Sequence, residues 1–425
     1  MDKLILNHLV KKIKEGSYYK LPFAVPEGVQ SITIFYQYPK KNDIKNAKEN
    51  VIDIGLENGE GQFLGWSGSS REQITVGEFD GTPGYLMEPV KAGTWNILIG
   101  AYHVQEEGVP VVYEITFEKK HPSWLFGDLH IHSDASDGQH DIPTLAKKAK
   151  EKKLDYIAVT NHNNYSENMF LPKVQGITLI PGVEWTHYRG HMNFWGIKKP
   201  FNGSFIANNL EEMKKIVGEA RANGALISVN HPKCPMCPYL WEDEEDFQAI
   251  EVWNGPMRKT NVDGIAWWTE LLKKGRKIIA VGGSDFHRDG EPVELGNPVT
   301  AIYAESQSAE AIMDSIAKGH VYITDDIHGV RLDMKCNEYM FGDTVEDQEK
   351  IHTLQISAEK MPCTSVLQVV GTSGVIKEIK SERGKVEDTI EIKDTSFVYL
   401  LAIQKTLPIN RQILAVSNPI YFSNK

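Results

Sequence analysis

The chain has 425 residues, so a typical domain size of about 150 residues predicts about three domains and excludes a single small module. Apolar residues make up 41% and charged residues 24% of the sequence, which excludes a disordered or fibrous chain. The net charge of −11 argues against binding to a nucleic-acid polymer or an anionic membrane, although a cleft that holds metal ions could still be locally cationic.

Cysteine content and apolar runs bear on the compartment. The four cysteines are too few for a disulfide framework, which is typical of a reducing compartment. The N-terminal sequence MDKLILNHLVKKIKEG has no continuous apolar segment, and no other run approaches the roughly 18 apolar residues of a membrane helix. We therefore expect a soluble cytoplasmic protein.

The first part of the chain has a β texture. Turn clusters such as DGTPGY separate the strand-like runs SITIFYQY, NVIDIGLE, TWNILIGAY and VVYEITFE. Little helical periodicity accompanies them. This spacing predicts a β-sandwich-like domain over residues 1–120.

Between residues 121 and 320, predicted strands alternate with helices. The helix candidates are PTLAKKAKEKK, LEEMKKIVGEARANG, IAWWTELLKKG and AEAIMDSIAKG. Pro143 lies in the first turn of one helix, and Gly224 comes just after another. Such alternation indicates an α/β fold with a parallel sheet, and the number of units favours a closed barrel. After residue 320 the β texture returns, which predicts a C-terminal β domain over 321–425.

Residues suited to metal binding end the predicted strands of this middle part. They are His130, His132, His162, Glu184, His231, Asp285 and His287, and Asp137 follows the first pair in the tight loop HSDASDG. The carboxyl ends of barrel strands meet at one mouth, and imidazole with carboxylate suits Zn, Mn or Fe. A lone His-x-His would more often be two surface histidines. The whole set favours a multinuclear metal site.

Five segments carry a family resemblance: GDLHIHSDASDG, VTNHNN, GVEWTHYRGHMN, NHP and GGSDFHR, in this order. They resemble the metal-binding motifs of the PHP (polymerase and histidinol phosphatase) superfamily of metallohydrolases. With TPGYL and AGTWNILIGAY before them and SNPIYF at the end, nearly the whole chain resembles the CehA/McbA-type branch. The resemblance implies a distorted (β/α)7 barrel, flanked here by the two β domains, with two or three divalent ions at its mouth.

The resemblance also implies which residues bind each ion. The first ion would have the ligands His130, His132 and Asp285; Glu184 would bridge to a second ion held by His191 and His231; Asp137, His162 and His287 would hold a third. His187 competes with His191, but GHMNFWG matches the family pattern better.

Cationic side chains near these ligands are candidates for binding an anionic group, and arginine matches phosphate better than lysine does. Arg258 and Arg288 are the preferred catalytic pair, alongside Glu184 and His191. Arg189, Lys233 and Asn254 are candidate substrate-binding residues. Each cation could equally be a solvated loop residue, and Asn254 could simply close a turn.

Two further features have a structural interpretation. Cys234-Pro-Met-Cys237 could indicate redox chemistry or a zinc knuckle, but a structural loop is favoured, because no second such pair exists. Trp241, Trp253, Trp267 and Trp268 could line a pocket, although the core is the commoner place for such residues.

The predicted function is a metal-dependent phosphoesterase in which metal-activated hydroxide attacks phosphorus, and His187 or a metal-bound water protonates the leaving group. The substrate would be a small anionic molecule. One alternative keeps the site but hydrolyses a carbamate, a carboxyl ester or an amide. The other is a non-catalytic carbohydrate- or protein-binding protein on a PHP scaffold, which the complete ligand set disfavours. Assembly into a homo-oligomer, through the flanking β domains, is left open.

Overall fold

The computed structural model describes residues 2–41, 48–242, 246–346, 351–406 and 410–423. It divides into two compact units, Met1–His121 and Pro122–Lys425. The three domains bounded at residues 120 and 320 stay a prediction. No helix in the described ranges is long and apolar enough to cross a membrane.

The first unit consists of two antiparallel four-stranded sheets, with the orders β1-β8-β3-β6 and β2-β7-β4-β5. Their strands are β1 Asp2–Val10, β2 Ser17–Val25, β3 Val29–Gln37, β4 Val51–Glu57, β5 Phe63–Gly68, β6 Gln73–Gly77, β7 Gly93–His103 and β8 Val109–Lys119. Alternate residues of both sheets, such as Ile34, Ile97 and Tyr113, are fully buried in one shared core. A one-turn 3-10 helix, Lys12–Lys14, connects β1 and β2.

The second unit begins with alternating strands and helices. These elements are β9 Ser123–Ile131, α1 Ile142–Glu151, β10 Tyr156–Val159, β11 Thr178–Trp185, β12 Met192–Trp195, α2 Leu210–Ala222, β13 Leu226–Val229, β14 Ala249–Asn254, α3 Lys259–Lys273, β15 Ile279–Gly283, β16 Val299–Ala304, α4 Ala309–Lys318 and β17 Val321–Thr324. A one-turn 3-10 helix at Glu167–Phe170 lies between β10 and β11.

The central sheet is mixed, in contrast to the parallel sheet expected from the sequence. Its order is β15-β14-β13-β12-β11-β10-β9-β16-β17. The strands β9, β10 and β11 are parallel, as are β13, β14 and β15, but β12 is antiparallel to both of its neighbours and β16 is antiparallel to β9. Only residues 186–191 connect β11 to β12, and so short a connection cannot contain the crossover that parallel strands need.

The chain after β15 returns to β9. The amide of Asp285 donates to the carbonyl of His130 at 2.8 Å, and the amide of His132 donates to the carbonyl of Phe286 at 3.0 Å. Among the described strands the hydrogen-bonded order is nevertheless an open path. What the structure shows is a central α/β sheet with β-rich sheets on either side in the chain.

Local interactions explain where the helices begin and end. The side chain of Asp141 accepts a hydrogen bond from the amide of Thr144 at the start of α1, and Asn209 caps α2 in the same way. Gly319 ends α4 with a φ of 77°, as expected for a C-terminal glycine. Helix α3 begins before the predicted IAWWTELLKKG and includes Gly264, where a Cβ would lie 3.1 Å from the carbonyl oxygen of Val252. Glycine therefore permits close packing of α3 on β14.

The remaining strands divide: some continue the central sheet, and three form a separate sheet. They are β18 Arg331–Lys335, β19 Thr344–Val345, β20 Ile351–Glu359, β21 Ser365–Gly371, β22 Gly374–Lys380, β23 Lys385–Lys393, β24 Phe397–Thr406, β25 Asn410–Ser417 and β26 Ile420–Phe422. The strand β25 pairs antiparallel with β17, while β18, β20 and β23 form a separate sheet. Buried residues of both sheets share one core.

Candidate metal centre

One edge of the central sheet holds the strand-end residues singled out in the sequence. His130 lies in β9 and Glu184 in β11, whereas His162, His231 and Asp285 follow β10, β13 and β15. His191 directly precedes β12. Because β12 is antiparallel to β11, its beginning lies at the same edge as the end of β11.

Glu184 is the centre of this group, and its side chain is completely buried. Its Oε1 lies 3.0 Å from Nδ1 of His191, 3.2 Å from Nε2 of His231 and 3.3 Å from Nε2 of His130. The side-chain amide of Asn230 donates to the same oxygen at 2.9 Å. His191 therefore contacts this carboxylate directly.

The second oxygen of Glu184 faces another pair of histidines. Its Oε2 lies 2.7 Å from Nδ1 of His162 and 3.6 Å from Nε2 of His132. The hydroxyl of Thr186 is also 2.6 Å from Nδ1 of His162. One carboxylate thus contacts five imidazoles that come from four different segments of the chain.

Asp285 follows β15, the strand at one end of the strand order, and also contacts the histidines. Its Oδ1 lies 3.1 Å from Nε2 of His132 and 3.3 Å from Nε2 of His130. Asp285 and His231 have positive φ angles of 62° and 27°, which are rare for residues other than glycine. Backbone strain of this kind costs about 1–3 kcal/mol per residue and clusters at functional sites.

Asp137 forms a more exposed contact. Its Oδ1 lies 3.3 Å from Nε2 of His287, and its Oδ2 lies 3.6 Å from Nε2 of His162. The Asp137 side chain is 52% exposed, whereas Glu184 is fully buried. The group therefore extends from a buried carboxylate to one that solvent reaches.

The possible ligands form four groups that share members, and within each group the donor atoms lie within 4.8 Å of one another. They are His130/His132/Glu184, His130/His231/Asp285, His132/Asp137/His162/His287 and His191/His231/Cys237. All nine predicted ligands belong to these groups. Their individual roles as ligands stay predictions.

The buried carboxylates of this group stabilise positive charge on their neighbours. Burial disfavours the charged imidazolium of His130, but the carboxylates of Glu251, Asp285 and Glu184 outweigh burial and raise the pKa of His130 well above its ordinary value. Burial likewise opposes the ionised form of Glu184, yet His130 and the other imidazoles hold the pKa of Glu184 well below its usual range. Burial lowers the pKa of His132 to about 4. Bound divalent ions would supply the same positive charge.

The donor atoms fit such ions. Nε2 of His130 and Nδ1 of His132 are buried and make no well-aligned hydrogen bond within the part of the chain that the structure describes, although Nε2 of His130 lies 3.3 Å from oxygens of Glu184 and Asp285. Buried polar atoms without partners are rare in native proteins and require an explanation, such as a bound ion. Imidazole and carboxylate donors suit divalent zinc, manganese and iron.

Residues 128–232 match the family model of the PHP domain. The chain contains a PHP domain. The matched segment covers seven of the nine predicted ligands, from His130 to His231, while Asp285 and His287 lie beyond it. None of the curated proteins gives a significant match to the chain.

Several solved structures are similar to the chain. A two-domain protein from Bacteroides vulgatus, which contains a predicted PHP-like metal-dependent phosphoesterase, is 17% identical; the match covers 70% of this chain and 96% of that one, with a TM-score of 0.40. A candidate metal-dependent phosphoesterase from Bifidobacterium adolescentis is 15% identical, with 40% and 90% covered and a TM-score of 0.29. An amidohydrolase from Chromobacterium violaceum is 16% identical, with 39% and 89% covered and a TM-score of 0.27.

Glu251 supports the PHP domain's histidines, and the sequence analysis missed it. Its carboxylate is 2% exposed, and its Oε1 lies 2.9 Å from Nδ1 of His130. Its Oε2 accepts from the amide of His231 at 3.0 Å and from the side-chain amide of Asn254 at 3.1 Å. A single acidic residue inside the apolar run AIEVWN was the available signal.

Asp128 is a second buried carboxylate that the sequence analysis missed. It accepts backbone hydrogen bonds from Ser284 at 2.9 Å, Gly296 at 2.8 Å and His130 at 3.2 Å. Burial raises the pKa of Asp128 to about 6, although these hydrogen bonds oppose the shift. Asp128 thereby joins the ends of β9 and β15.

Polar contacts connect the two preferred arginines to predicted metal ligands. Arg258 donates to Oδ1 of Asn254 at 2.8 Å, and the amide of Asn254 lies 3.4 Å from Oδ2 of Asp285. Arg288 donates to the carbonyl of Asp137 at 3.0 Å. Both arginines are exposed. Each therefore has a guanidinium next to the ligand group and open to solvent.

The two other cations lie on tryptophan rings. The guanidinium of Arg189 is 5.0 Å from the ring centre of Trp241, and Nζ of Lys233 is 4.8 Å from that of Trp267. Such contacts stabilise each cation by about 0.5–1 kcal/mol at exposed sites. The assignment of Arg189 and Lys233 to substrate binding stays a prediction.

His187, the competitor of His191, lies against aromatic rings. It stacks on Trp185 with ring centres 5.5 Å apart, and its Nδ1 accepts from the amide of Arg189. Burial lowers the pKa of His187. Trp253 and Trp268 are fully buried in the core, and Trp241 is 5% exposed.

Proposed function

We propose that the PHP domain is a metal-dependent phosphoesterase that acts on a small anionic substrate. The observation that carries this proposal is the buried carboxylate of Glu184, around which the donors of overlapping ligand groups meet. Two-metal hydrolase sites hold their ions about 3.5–4 Å apart, and a buried carboxylate surrounded by imidazoles is suited to lie between two such ions.

The site would hold two or three ions of Zn, Mn or Fe. We assign His130, His132 and Asp285 to one ion, His191 and His231 with the bridging Glu184 to a second, and Asp137, His162 and His287 to a third. When bound, divalent ions lower the pKa of coordinated water and neutralise charge that develops on the substrate.

The protein's own side chains orient the ligands and the substrate. Glu251 accepts the proton on Nδ1 of His130, which leaves the Nε2 lone pair facing Glu184 and Asp285. The exposed guanidinium groups of Arg258 and Arg288 would hold the non-bridging oxygens of a phosphoester. Their contacts with Asn254 and Asp137 orient them beside the ligands.

The proposal extends to the branch of the family and to the barrel fold. We place the chain in the CehA/McbA-type branch and regard the central sheet as a distorted (β/α)7 barrel. The backbone hydrogen bonds between the segment after β15 and β9 support barrel closure. We also propose a cytoplasmic location and a small-molecule partner, with no nucleic-acid polymer or membrane as substrate.

Elemental analysis followed by a metal-reconstituted substrate screen tests the proposal. We expect at least about two ions per chain and hydrolysis of phosphomonoesters or phosphodiesters that depends on Zn, Mn or Fe. The variant Asp285→Asn should lose the activity, whereas Asp314→Asn, at an exposed helix position that pairs with Lys318, should keep it.

Other outcomes would identify the rivals. Hydrolysis of carbamate esters, carboxyl esters or amides without hydrolysis of phosphoesters would show that the electrophile is a carbonyl carbon. Less than about one ion per chain, with no gain of activity on adding Mn or Zn, would favour a non-catalytic binding protein.

A further inference from the structure

The loop after β13 places a thiol on His231. Sγ of Cys237 lies 3.4 Å from Nδ1 of His231, while Nε2 of the same ring lies 3.2 Å from Oε1 of Glu184. One ring nitrogen therefore faces the ligand group and the other faces the sulfur. Cys237 occupies the place that a carboxylate or carbonyl usually takes behind a metal-binding histidine.

A second thiol lies within reach of the first. The sulfur of Cys234 is hydrogen bonded to the side chain of Cys237 and to the backbone amides of Met236 and Cys237. Both cysteines are half-buried, and the Met236 side chain between them is 89% exposed. The two sulfurs thus face each other in a loop that a small oxidant can enter.

The other cysteines have different surroundings. Cys336 is buried and Cys363 is exposed, and both lie in the C-terminal part of the chain. Only Cys234 and Cys237 among the described cysteines combine mutual contact with contact to a predicted ligand. The sequence alone favoured a plain structural loop here, and the contact with His231 changes that interpretation.

We propose that Cys234 and Cys237 form a reversible disulfide on exposure to hydrogen peroxide, and that the disulfide weakens metal binding by withdrawing the sulfur that orients His231. The proposal rests on the metal site of the proposed function. It makes Cys237 a positioning residue and the Cys-x-x-Cys pair a modification site.

The oxidation balances without any other reactant. The sulfur of Cys234 attacks one oxygen of hydrogen peroxide; the O–O bond breaks, a sulfenic acid forms and one water leaves. The sulfur of Cys237 then attacks that of Cys234; the S–S bond forms, the S–O bond breaks and a second water leaves. Two thiols and one peroxide become one disulfide and two waters. A dithiol such as dithiothreitol reverses the step.

The disulfide changes the surroundings of His231. The sulfur of Cys237 must turn towards Cys234 to form the S–S bond, so it no longer lies beside Nδ1 of His231. Loss of an orienting partner of a metal-binding histidine typically lowers metal affinity about 10–100-fold. The same loss is expected here on oxidation.

The test uses the full-length, manganese-loaded protein and needs no substrate. Reduced protein is treated with hydrogen peroxide, peptide mapping locates disulfides, and competition with a chelating dye gives the manganese affinity. We expect a Cys234–Cys237 disulfide, a fall in affinity of about 10–100-fold and recovery with dithiothreitol.

Four variants separate the two parts of the proposal. Cys237→Ala should lower the affinity about tenfold or more without oxidant, and Cys237→Ser, which keeps an acceptor, should restore most of it. Cys234→Ser should bind manganese normally and form no disulfide. Cys363→Ser should behave like the unmodified chain.

The proposal is overturned if peroxide forms no Cys234–Cys237 disulfide, or if the disulfide forms and the affinity stays the same. A chain that binds no manganese also overturns it. Because both readouts are independent of catalysis, a protein that loses metal on oxidation but hydrolyses no phosphoester would refute the proposed reaction while supporting this inference.

Discussion

Replacing Glu251 by Gln tests the histidine-orienting role of this buried carboxylate. Glu251 accepts three hydrogen bonds, from Nδ1 of His130, the amide of His231 and the side chain of Asn254. A glutamine keeps the shape but has one oxygen and one NH2 group. The NH2 group of the glutamine must therefore face one of the N–H groups that donate to Glu251.

Each orientation of the glutamine has a calculable cost. If its NH2 group faces His130, Nδ1 must give up its proton, and the proton moves to Nε2, where it occupies the lone pair that faces Glu184 and Asp285. If the NH2 group faces His231 instead, a buried amide loses its acceptor, at about 1–3 kcal/mol. Loss of such a supporting contact lowers metal affinity about 10–100-fold, or about 1.4–2.8 kcal/mol.

The assay is competition for zinc or manganese with a chelating dye, together with chemical unfolding of the metal-free protein. We expect weaker metal binding in Glu251→Gln and activity that recovers when excess metal is added. Glu294→Gln is the matched control, since Glu294 is 69% exposed and pairs only at the surface with Lys152. Unchanged metal affinity in Glu251→Gln would refute the reasoning.

Three further predictions concern the same site. Arg258→Ala and Arg288→Ala should each lower kcat/KM for a phosphoester about tenfold and leave the metal content unchanged, because both exposed guanidinium groups would hold substrate oxygens. Steady-state kinetics that give the variants the same kcat/KM as the unmodified chain would argue against this role. Lys233→Met should lower kcat/KM for a phosphoester about threefold or more, because Lys233 is a predicted substrate-binding residue whose ammonium is held on the ring of Trp267; an unchanged kcat/KM would remove Lys233 from the substrate-binding group. Metal affinity, measured by dye competition between about pH 6 and 8, should fall as the pH falls. The neighbouring carboxylates raise the pKa of His130, and below that pKa an ion must displace a proton from the imidazole. A flat pH profile would count against metal binding by His130.

Local patterns predicted most of the second unit's elements. The helices α1, α2 and α4 begin and end close to the predicted residues, because their capping residues lie next to them in the sequence. The strand β1 was missed. Its sequence DKLILNHLV has five apolar residues among nine, but most of its side chains are exposed, since β1 is an edge strand that pairs with β8 alone. Contacts distant in sequence, rather than local preference, determine such a strand.

The candidate site shows a similar division. The strand-end argument gathered His130, Glu184 and His231, which the structure places together, because the ends of strands in one sheet meet at one edge. Glu251 escaped the same argument because it lies within β14 and not after it. Glu251 matters because its carboxylate contacts His130, and these two residues are 121 positions apart in the sequence.

The pairing of β17 with β25 has a consequence for the solubility of shortened chains. In the complete fold, the residues around Ile323 form a backbone ladder with those around Val416, and this ladder covers one side of β17. A chain that ended soon after β17 would leave the N–H and C=O groups on this side of β17 unpaired, while the other side would stay paired with β16. Such an edge recruits strands from other molecules. We therefore expect chains shortened before β25 to aggregate more readily than the full chain.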